Sequence, residues 1–530
     1  LIAQDKFGSD SPFPRFRNVS SSLGLDRDGL AGGSIMADFN NDGLLDLVSS
    51  SWGLDGALVF SSNDGNGKFT DQTLAAGLEG YTSGLNMVSC DYNNDGWLDF
   101  FVLRGAWLSI AGEHPNSLFR NNGDGTFTDV TEEAGLLSYH PTQTASWFDY
   151  NNDGHLDVFI GNESSGPDAH PCELYRNNGD GTFTECARDV GLDYLGFVKG
   201  TTQGDFDNDG LPDLYLSCMD EPNVLFRNMG PGTDGAWRFE DVTDQVGVAM
   251  PLSSFPTWFW DYDNDGDLDL FVSDYYSKPN AVPADYLGLL STNEHARLYR
   301  NDGDKFTDVT VEMGLNHVMV GMGANFGDLD NDGFLDMYIG TGEPNLAALI
   351  PNRMFQNQGG KRFLDVTSAG GFGHLQKGHG VSFGDVDNDG DQDVHASLGG
   401  AYSGDVYRNA LFENPGMGNN WLTLKLEGNI SNKAAIGARI RVVLEDGREI
   451  HRMVSSGGSF GASPFRAEMG LGRNGQIDFV EIFWPTSGKT QLLKNLEANK
   501  AYRVIEGEAG ATPLELQPFK IPEPKAGHHH

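Results

Sequence analysis

Cysteine is scarce in this chain, with four residues in 530, and no two of them form a Cys-x-x-Cys pair. No His-x-x-x-His spacing occurs either, so no defined zinc or redox motif is present. Positive charge is also scarce: 35 Lys and Arg face 76 Asp and Glu, for a formal net charge of -41. Such a chain repels nucleic acid and anionic membrane surfaces. No apolar run is long enough to cross a bilayer, which argues against membrane insertion. A nucleophile elbow, a phosphate loop and a dinucleotide fingerprint are all missing. Glycine interrupts every stretch that would otherwise carry helical periodicity.

Glycine itself is abundant, 70 residues, and much of it sits in Asn-Gly and Asp-Gly pairs. Those pairs mark tight turns between many short strands. A ten-residue phrase recurs seven times; its fifth copy is Asp261-Tyr-Asp-Asn-Asp-Gly-Asp-Leu-Asp-Leu270. Position 1 is Asp38, Asp91, Asp149, Asp205, Asp261, Asp328 or Asp385. Position 3 is Asn40, Asn93 or Asn151 in the first three copies, then Asp207, Asp263, Asp330 or Asp387. Position 5 is Asp42, Asp95, Asp153, Asp209, Asp265, Asp332 or Asp389, and position 9 is Asp46, Asp99, Asp157, Asp213, Asp269, Asp336 or Asp393. Position 7 offers a backbone carbonyl, from Leu44, Trp97, His155, Leu211, Asp267, Phe334 or Asp391. Oxygens at these positions, around a glycine turn at position 6, suit a hard cation with irregular coordination, hence Ca²⁺. No copy has the Glu at position 12 of an EF-hand. About seven structural Ca²⁺ are expected. Without them the carboxylates of each loop would repel one another. Seven bound ions would still leave the chain acidic.

The loops start 53 to 67 residues apart, too far for a solenoid turn and right for one four-stranded propeller blade. Each period repeats one grammar. A small-residue innermost strand such as Gly200-Thr-Thr-Gln-Gly-Asp205 leads into the ion loop. An apolar strand such as Leu268-Asp-Leu-Phe-Val272 follows, then a variable connection. A third strand such as Ser117-Leu-Phe-Arg120, an Asn-Gly hairpin and a fourth strand such as Thr126-Phe-Thr-Asp-Val130 complete the period. Hairpins of this type number six against seven loops. The missing fourth strand is at the front, where Phe16-Arg-Asn-Val19 before Gly24-Leu25 matches Phe127-Thr-Asp-Val130 before Gly135-Leu136. The expectation is an all-β chain: a seven-bladed propeller over 13–415 with calcium loops, closed by residues 13–20. Residues 421–506 alternate like a β-sandwich and form a second domain. The Pro- and Glu-rich stretch 507–530 reads as an extended or disordered tail ending in a purification tag.

The loops resemble those of FG-GAP/VCBS repeat proteins. Ala435-Ile-Gly-Ala438, Ser455-Ser-Gly-Gly-Ser-Phe-Gly461, Met469-Gly-Leu-Gly472 and Ile482-Phe-Trp-Pro485 resemble an ASPIC/UnbV domain. One departure is Ala467-Glu468 before Met469, where the family often has His. The resemblance implies secretion, to an extracellular or periplasmic location, and a calcium-stabilised propeller; it does not imply a ligand.

In such blades the ion loops and hairpins share one face, and the variable connections occupy the other. Variable loops on a rigid scaffold are the usual place for binding. His114, His140, His170, His295, His317, His374 and His379 map to that face, with Trp107, Tyr139, Tyr275, Tyr276, Tyr286 and Tyr402. Lys199, Lys278 and Lys377 are its rare positive charges, read as solvated in preference to receiving a uronate or sulfate. Trp147, Trp258 and Trp260 read as inter-blade core. The main expectation is a monomeric binding or adhesion module for carbohydrate or an extracellular protein. The alternative is a carbohydrate lyase or hydrolase with its site in the funnel, carried by His140, Lys199, His317 and His379. Cys172 and Cys186 flank one hairpin, with a disulfide across it or two separate thiols as the alternatives. Cys90 and Cys218 read as small buried residues.

Overall fold

A computed structural model describes residues 13–108, 111–164, 169–275, 281–289, 293–303, 305–346 and 348–523. Tyr276, Lys278 and the tag lie outside the described residues. Seven antiparallel sheets of four strands follow one another along the chain. The first runs through Ser34–Ala37, Asp46–Ser49, Val59–Asn63 and Phe69–Asp71. The seventh takes Gly378–Gly384, Asp393–Leu398 and Ala410–Glu413 from its own repeat and Arg17–Asn18 from the front of the chain. Arg17 pairs with Glu413 and Asn18 with Phe412 in that outer ladder.

The innermost strands of successive sheets pack side by side, Gly378–Gly384 of the seventh against Ser34–Ala37 of the first. They crowd closely enough to require glycine. A Cβ on Gly323 would lie 2.1 Å from the His379 carbonyl oxygen. Farther out, aromatic and aliphatic side chains fill the space between sheets. Trp258, Trp260 and Trp147 are 0, 2 and 5 % exposed, as inter-blade core should be.

Residues 420–514 form two further four-stranded sheets. Leu422, Leu424, Val442, Val480, Ile482 and Trp484 are among the side chains of their shared core. Asn420–Glu427 and Lys500–Ile505 run parallel within one sheet.

The fold decides two alternatives that the sequence left open. Cys172 and Cys186 are free thiols. The hairpin register sets Tyr175 opposite Glu185, and the Cys186 N–H donates to Leu174 rather than facing Cys172. The tail is ordered through residue 523. Thr512–Leu514 adds a strand beside Lys500–Ile505, Ile521 is buried under the first sheet, and Glu523 meets Arg17 at 2.6 Å. The tail's apolar residues, sparse in the sequence, are the ones that dock. Among the described residues no helix is long and apolar enough to cross a membrane.

Candidate metal centre and funnel face

Each ion loop is wired by its own carboxylates. The position-1 Asp accepts the N–H groups of positions 5 and 6; in the third loop Asp153 and Gly154 donate to Asp149 at 2.9 and 2.8 Å. The position-5 Asp accepts the N–H of position 7, as Asp332 does from Phe334 at 2.8 Å. The position-9 Asp is buried and grips its own blade. Asp213 accepts the N–H of Phe206 at 3.1 Å and of Asn228 at 2.8 Å. Position 9 therefore clamps backbone as well as standing near the ion position.

Four loops bring three carboxylates together: Asp205, Asp207 and Asp213; Asp261, Asp263 and Asp265; Asp328, Asp330 and Asp332; Asp385, Asp387 and Asp389. Their candidate ligand oxygens lie within 4.8 Å of one another in each group. These are the loops with Asp at position 3. Where position 3 is Asn, its amide instead donates to the position-5 carboxylate, as Asn93 does to Asp95 at 2.7 Å. The carboxylate loops fit a divalent cation on a second ground. Asp263 Oδ1 is buried and has no donor, an oxygen that a cation would satisfy.

Burial and mutual repulsion act on the same groups. Burial, with Asp95 adding to it, pushes the Asp91 carboxyl up to about 7. Burial likewise lifts Asp261 to about 7 and both Asp205 and Asp263 to about 6. An unfolded Asp titrates near ~4, so the ion-free native state holds more protons than the unfolded chain between about pH 4 and 7. Its stability must fall as pH rises through that window. Ion-free protein is expected to melt higher at about pH 5.5 than at about pH 7.5, with the order reversed when calcium is present. Calorimetry at the two pH values, with and without calcium, checks this; an unchanged order would contradict it.

Two asparagine circuits link the loops, and sequence reasoning missed both. Asn at position 4 has a left-handed backbone in all seven copies, with φ from 52° to 60°. Its amide crosses to the position-6 carbonyl of the next loop, as Asn94 does to Gly154 at 2.9 Å. Asn388 of the last loop reaches Gly43 of the first at 3.1 Å. Asn208 departs from the pattern and donates to the Asp267 carboxylate at 2.6 Å. The Asn entering each hairpin bridges its own loop and the preceding one. Asn301 donates to Leu268 at 3.1 Å and to Phe206 at 2.7 Å, and Asn63 returns to Val386 at 3.0 Å. The signal was available: both asparagines recur once per period.

The C-terminal domain covers the ion-loop face. Lys425 reaches Asn41 at 2.9 Å, the Lys433 N–H reaches Asn94 at 2.8 Å, and Thr486 donates to Asp149 at 2.8 Å. Arg439 lies 3.5 Å from Asp205, and the His451 N–H donates to Asn264 at 2.9 Å. Gly470 donates to Asp328 at 3.0 Å, and Arg466 to the Asp385 carbonyl at 2.7 Å. Every loop thus has a partner on the cap.

The segment Ser455–Gly461 enters the space between the innermost strands. Ser459 donates to the Thr257 carbonyl at 2.7 Å, and Ala462 exchanges backbone bonds with Ser34 and Met36 at 2.8 and 3.0 Å. Phe460 reaches Phe255 on the funnel side, with ring centroids 5.0 Å apart. Glycine makes the path passable. A Cβ on Gly458 would lie 2.2 Å from the Ala324 carbonyl oxygen.

On the funnel face the expected catalytic residues separate. His140 pairs with His170, Nδ1 to Nδ1 at 2.9 Å, and His317 bonds Asp285 at 3.0 Å. His374 packs edge-on against Phe412 at 5.4 Å. Lys199 and His379 both stand beside Trp107, at 5.7 and 5.5 Å from its ring. Both are buried, however, which corrects the solvated reading of Lys199. It pairs with Glu163 and lies 4.3 Å over Phe197. Burial lowers its pKa against the opposing pull of Glu163. His379 belongs to the seventh innermost strand rather than to a connection, and burial takes its pKa down to about 3. Lys377 is also buried, paired with Asp405. These buried lysines were indistinguishable from solvated ones in sequence because their partners lie on other connections. Tyr286 carries Arg353 on its ring at 4.6 Å, while Tyr139 and Tyr402 are exposed.

Comparison with known proteins agrees with this architecture. Residues 38–102, 107–160, 149–216, 205–272 and 283–339 match the FG-GAP-like repeat, and residues 428–511 match the ASPIC and UnbV family. Cartilage acidic protein 1 of Xenopus tropicalis is 26 % identical over 338 residues, 60 % of this chain and 49 % of that protein. The Homo sapiens protein of that name is 25 % identical over 374 residues, 67 % of this chain and 53 % of its own length. Integrin alpha-3 of Cricetulus griseus is 26 % identical over 188 residues, 32 % of this chain and 17 % of that one. The chain spans about half the length of the two cartilage acidic proteins it matches. Its repeats, their seven similar sheets and the domain that caps them make this chain a member of the FG-GAP-like repeat family with an ASPIC and UnbV domain.

Proposed function

We propose that this chain is a secreted, calcium-stabilised propeller that works as a binding or adhesion module for carbohydrate or an extracellular protein. The observation that carries the reading is the division between faces. The cap occupies the ion-loop face, where carboxylates and asparagines hold the blades together. Among the described residues nothing covers the variable connections of the opposite face, and such loops are where rigid scaffolds place recognition. Calcium is structural in this reading, held by the loop carboxylates; extracellular modules work with dissociation constants of roughly 10⁻⁴–10⁻³ M. The enzyme reading is weaker, because His140 and His317 have partners of their own and Lys199 and His379 are buried.

Charge count sets calcium affinity. The four loops from Asp205 onward carry one more carboxylate than the first three and are expected to fill first. Native mass spectrometry during a calcium titration should show a step at four ions before the approach to seven. Asp330→Asn should remove one ion from that first step. A titration in which all loops fill together would contradict the ranking. A glycan array and a panel of extracellular proteins, probed with and without calcium, test the binding role. Calcium-dependent binding supports it, and silence on both counts against it.

A further inference from the structure

The uncovered face carries most of the exposed apolar side chains. Leu287, Leu349, Leu289, Leu346, Leu195 and Tyr139 are 71, 68, 60, 57, 56 and 53 % exposed, and all lie on connections of that face. They come from connections that run from the second sheet to the sixth, so they form an arc of the mouth. The loops that carry them are braced by one another: Glu221 donates to the Leu252 carbonyl at 3.0 Å, and Ser164 to Gly196 at 2.9 Å. Inside this rim stand Trp52, Trp107 and Tyr275, half-buried and packed around Phe255. The Trp107 backbone is left-handed, φ 69°, and its N–H is held by Glu163 at 2.8 Å. Bulky residues rarely adopt that conformation, and such strain gathers at binding sites.

Exposed charge at the tips of these connections is negative, and Arg188, 87 % exposed beside Asp193, stands at the base of the one that carries Leu195. Asp55 and Asp220 are exposed, and Glu294 and Glu343 are half-exposed. Among the described residues of 50–58, 136–141, 193–197, 249–253, 281–296, 342–352, 372–377 and 399–406, the one lysine or arginine is Lys377, buried on Asp405.

We propose that this face docks a protein whose contact surface is apolar and flanked by lysine and arginine. The inference rests on the binding-module reading and narrows its partner. Exposed leucines gain by burial against apolar protein surface and offer nothing to sugar hydroxyls. The carboxylates, on a chain of net charge -41, attract a basic partner and repel an anionic membrane. Half-buried aromatic rings inside an apolar rim have the layout of binding hot spots.

The test is selection of a displayed library of random peptides on the calcium-loaded full chain. Enriched peptides should combine net positive charge with leucine or aromatic residues. A synthetic copy of one should bind at least about tenfold more weakly to Leu346→Asp/Leu349→Asp and to Leu287→Asp/Leu289→Asp. It should also weaken as salt rises. These side chains are exposed, so unchanged melting of the variants separates lost contact from lost fold. Met229→Asp, on a hairpin of the capped side, and Leu492→Asp, on the C-terminal domain, should leave binding intact. The proposal is overturned if no peptide is enriched, if binders are acidic, or if the rim substitutions leave their affinity unchanged. In that last case the binding-module reading survives with another face. Binding of glycans alone would keep the module and remove this partner class. Silence of peptides, proteins and glycans together would remove both.

Discussion

Removing calcium is expected to lower the melting temperature by at least about 15 °C, or to abolish a cooperative melt altogether. One site held at ~100 times its dissociation constant contributes roughly 2.7 kcal/mol to the native state. Four such sites give about 11 kcal/mol, within the range of total stability of an ordinary domain, about 5–15 kcal/mol. The loss would be compounded by what remains. Asp328, Asp330 and Asp332 would be left together at low exposure, with Arg452 3.3 Å from Asp328 as a partial counter-charge. The cap should loosen with the loops, because Gly470 and Thr486 bond the very carboxylates that calcium orders. Limited proteolysis should then cut between residues 413 and 420 faster in chelator than in calcium. A melt and a cleavage rate indifferent to chelation would count against a structural role for the ion.

Blocking the inserted segment should be the most damaging single substitution in the C-terminal domain. Gly458→Val would drive side-chain atoms into the Ala324 carbonyl, already 2.2 Å from a bare Cβ. The Gly458 N–H is held by Asn325 and the backbone that follows by bonds to Ala324, Val381 and Ser34, so the segment cannot relax in place. Overpacking of this kind typically costs about 1–3 kcal/mol, and more where backbone must move. The expected result is a cap that melts separately from the propeller and at lower temperature. Phe460 would also leave its place beneath Phe255 and Trp107, so tryptophan fluorescence of the funnel should shift. Gly447→Ala offers a control, since its Cβ would meet nothing within 4 Å, although its φ of 86° adds local strain. Equal melts for Gly458→Val and the parent would show that the segment is not seated as described.

What was legible in the sequence was whatever repeats. The loops, the sheets they start and the donation of Arg17–Asn18 to the seventh sheet all follow from one period written seven times. Local chemistry sufficed there because Asp, Asn and Gly act on their own turn. The asparagine circuits repeat just as strictly but act between neighbouring blades, so reading one blade at a time hid them. Features that occur once were less legible still. Nothing local marks Ser455–Gly461 as an insert rather than a turn, since its partners lie on three propeller sheets. Lys199 sits on an innermost strand, and its partner Glu163 comes from the preceding blade. The choice between a Cys172–Cys186 disulfide and two thiols turned on hairpin register, which depends on where the ladder starts rather than on symmetry in the sequence.

The account depends on a cation shared by the carboxylates of each loop. Crystals grown in calcium and measured at a long wavelength for anomalous scattering would test it directly. Anomalous peaks are expected between Asp205, Asp207 and Asp213, and at the matching places near Asp261, Asp328 and Asp385, with weaker peaks at the three asparagine-bearing loops. Water without anomalous signal at all four carboxylate loops would contradict it.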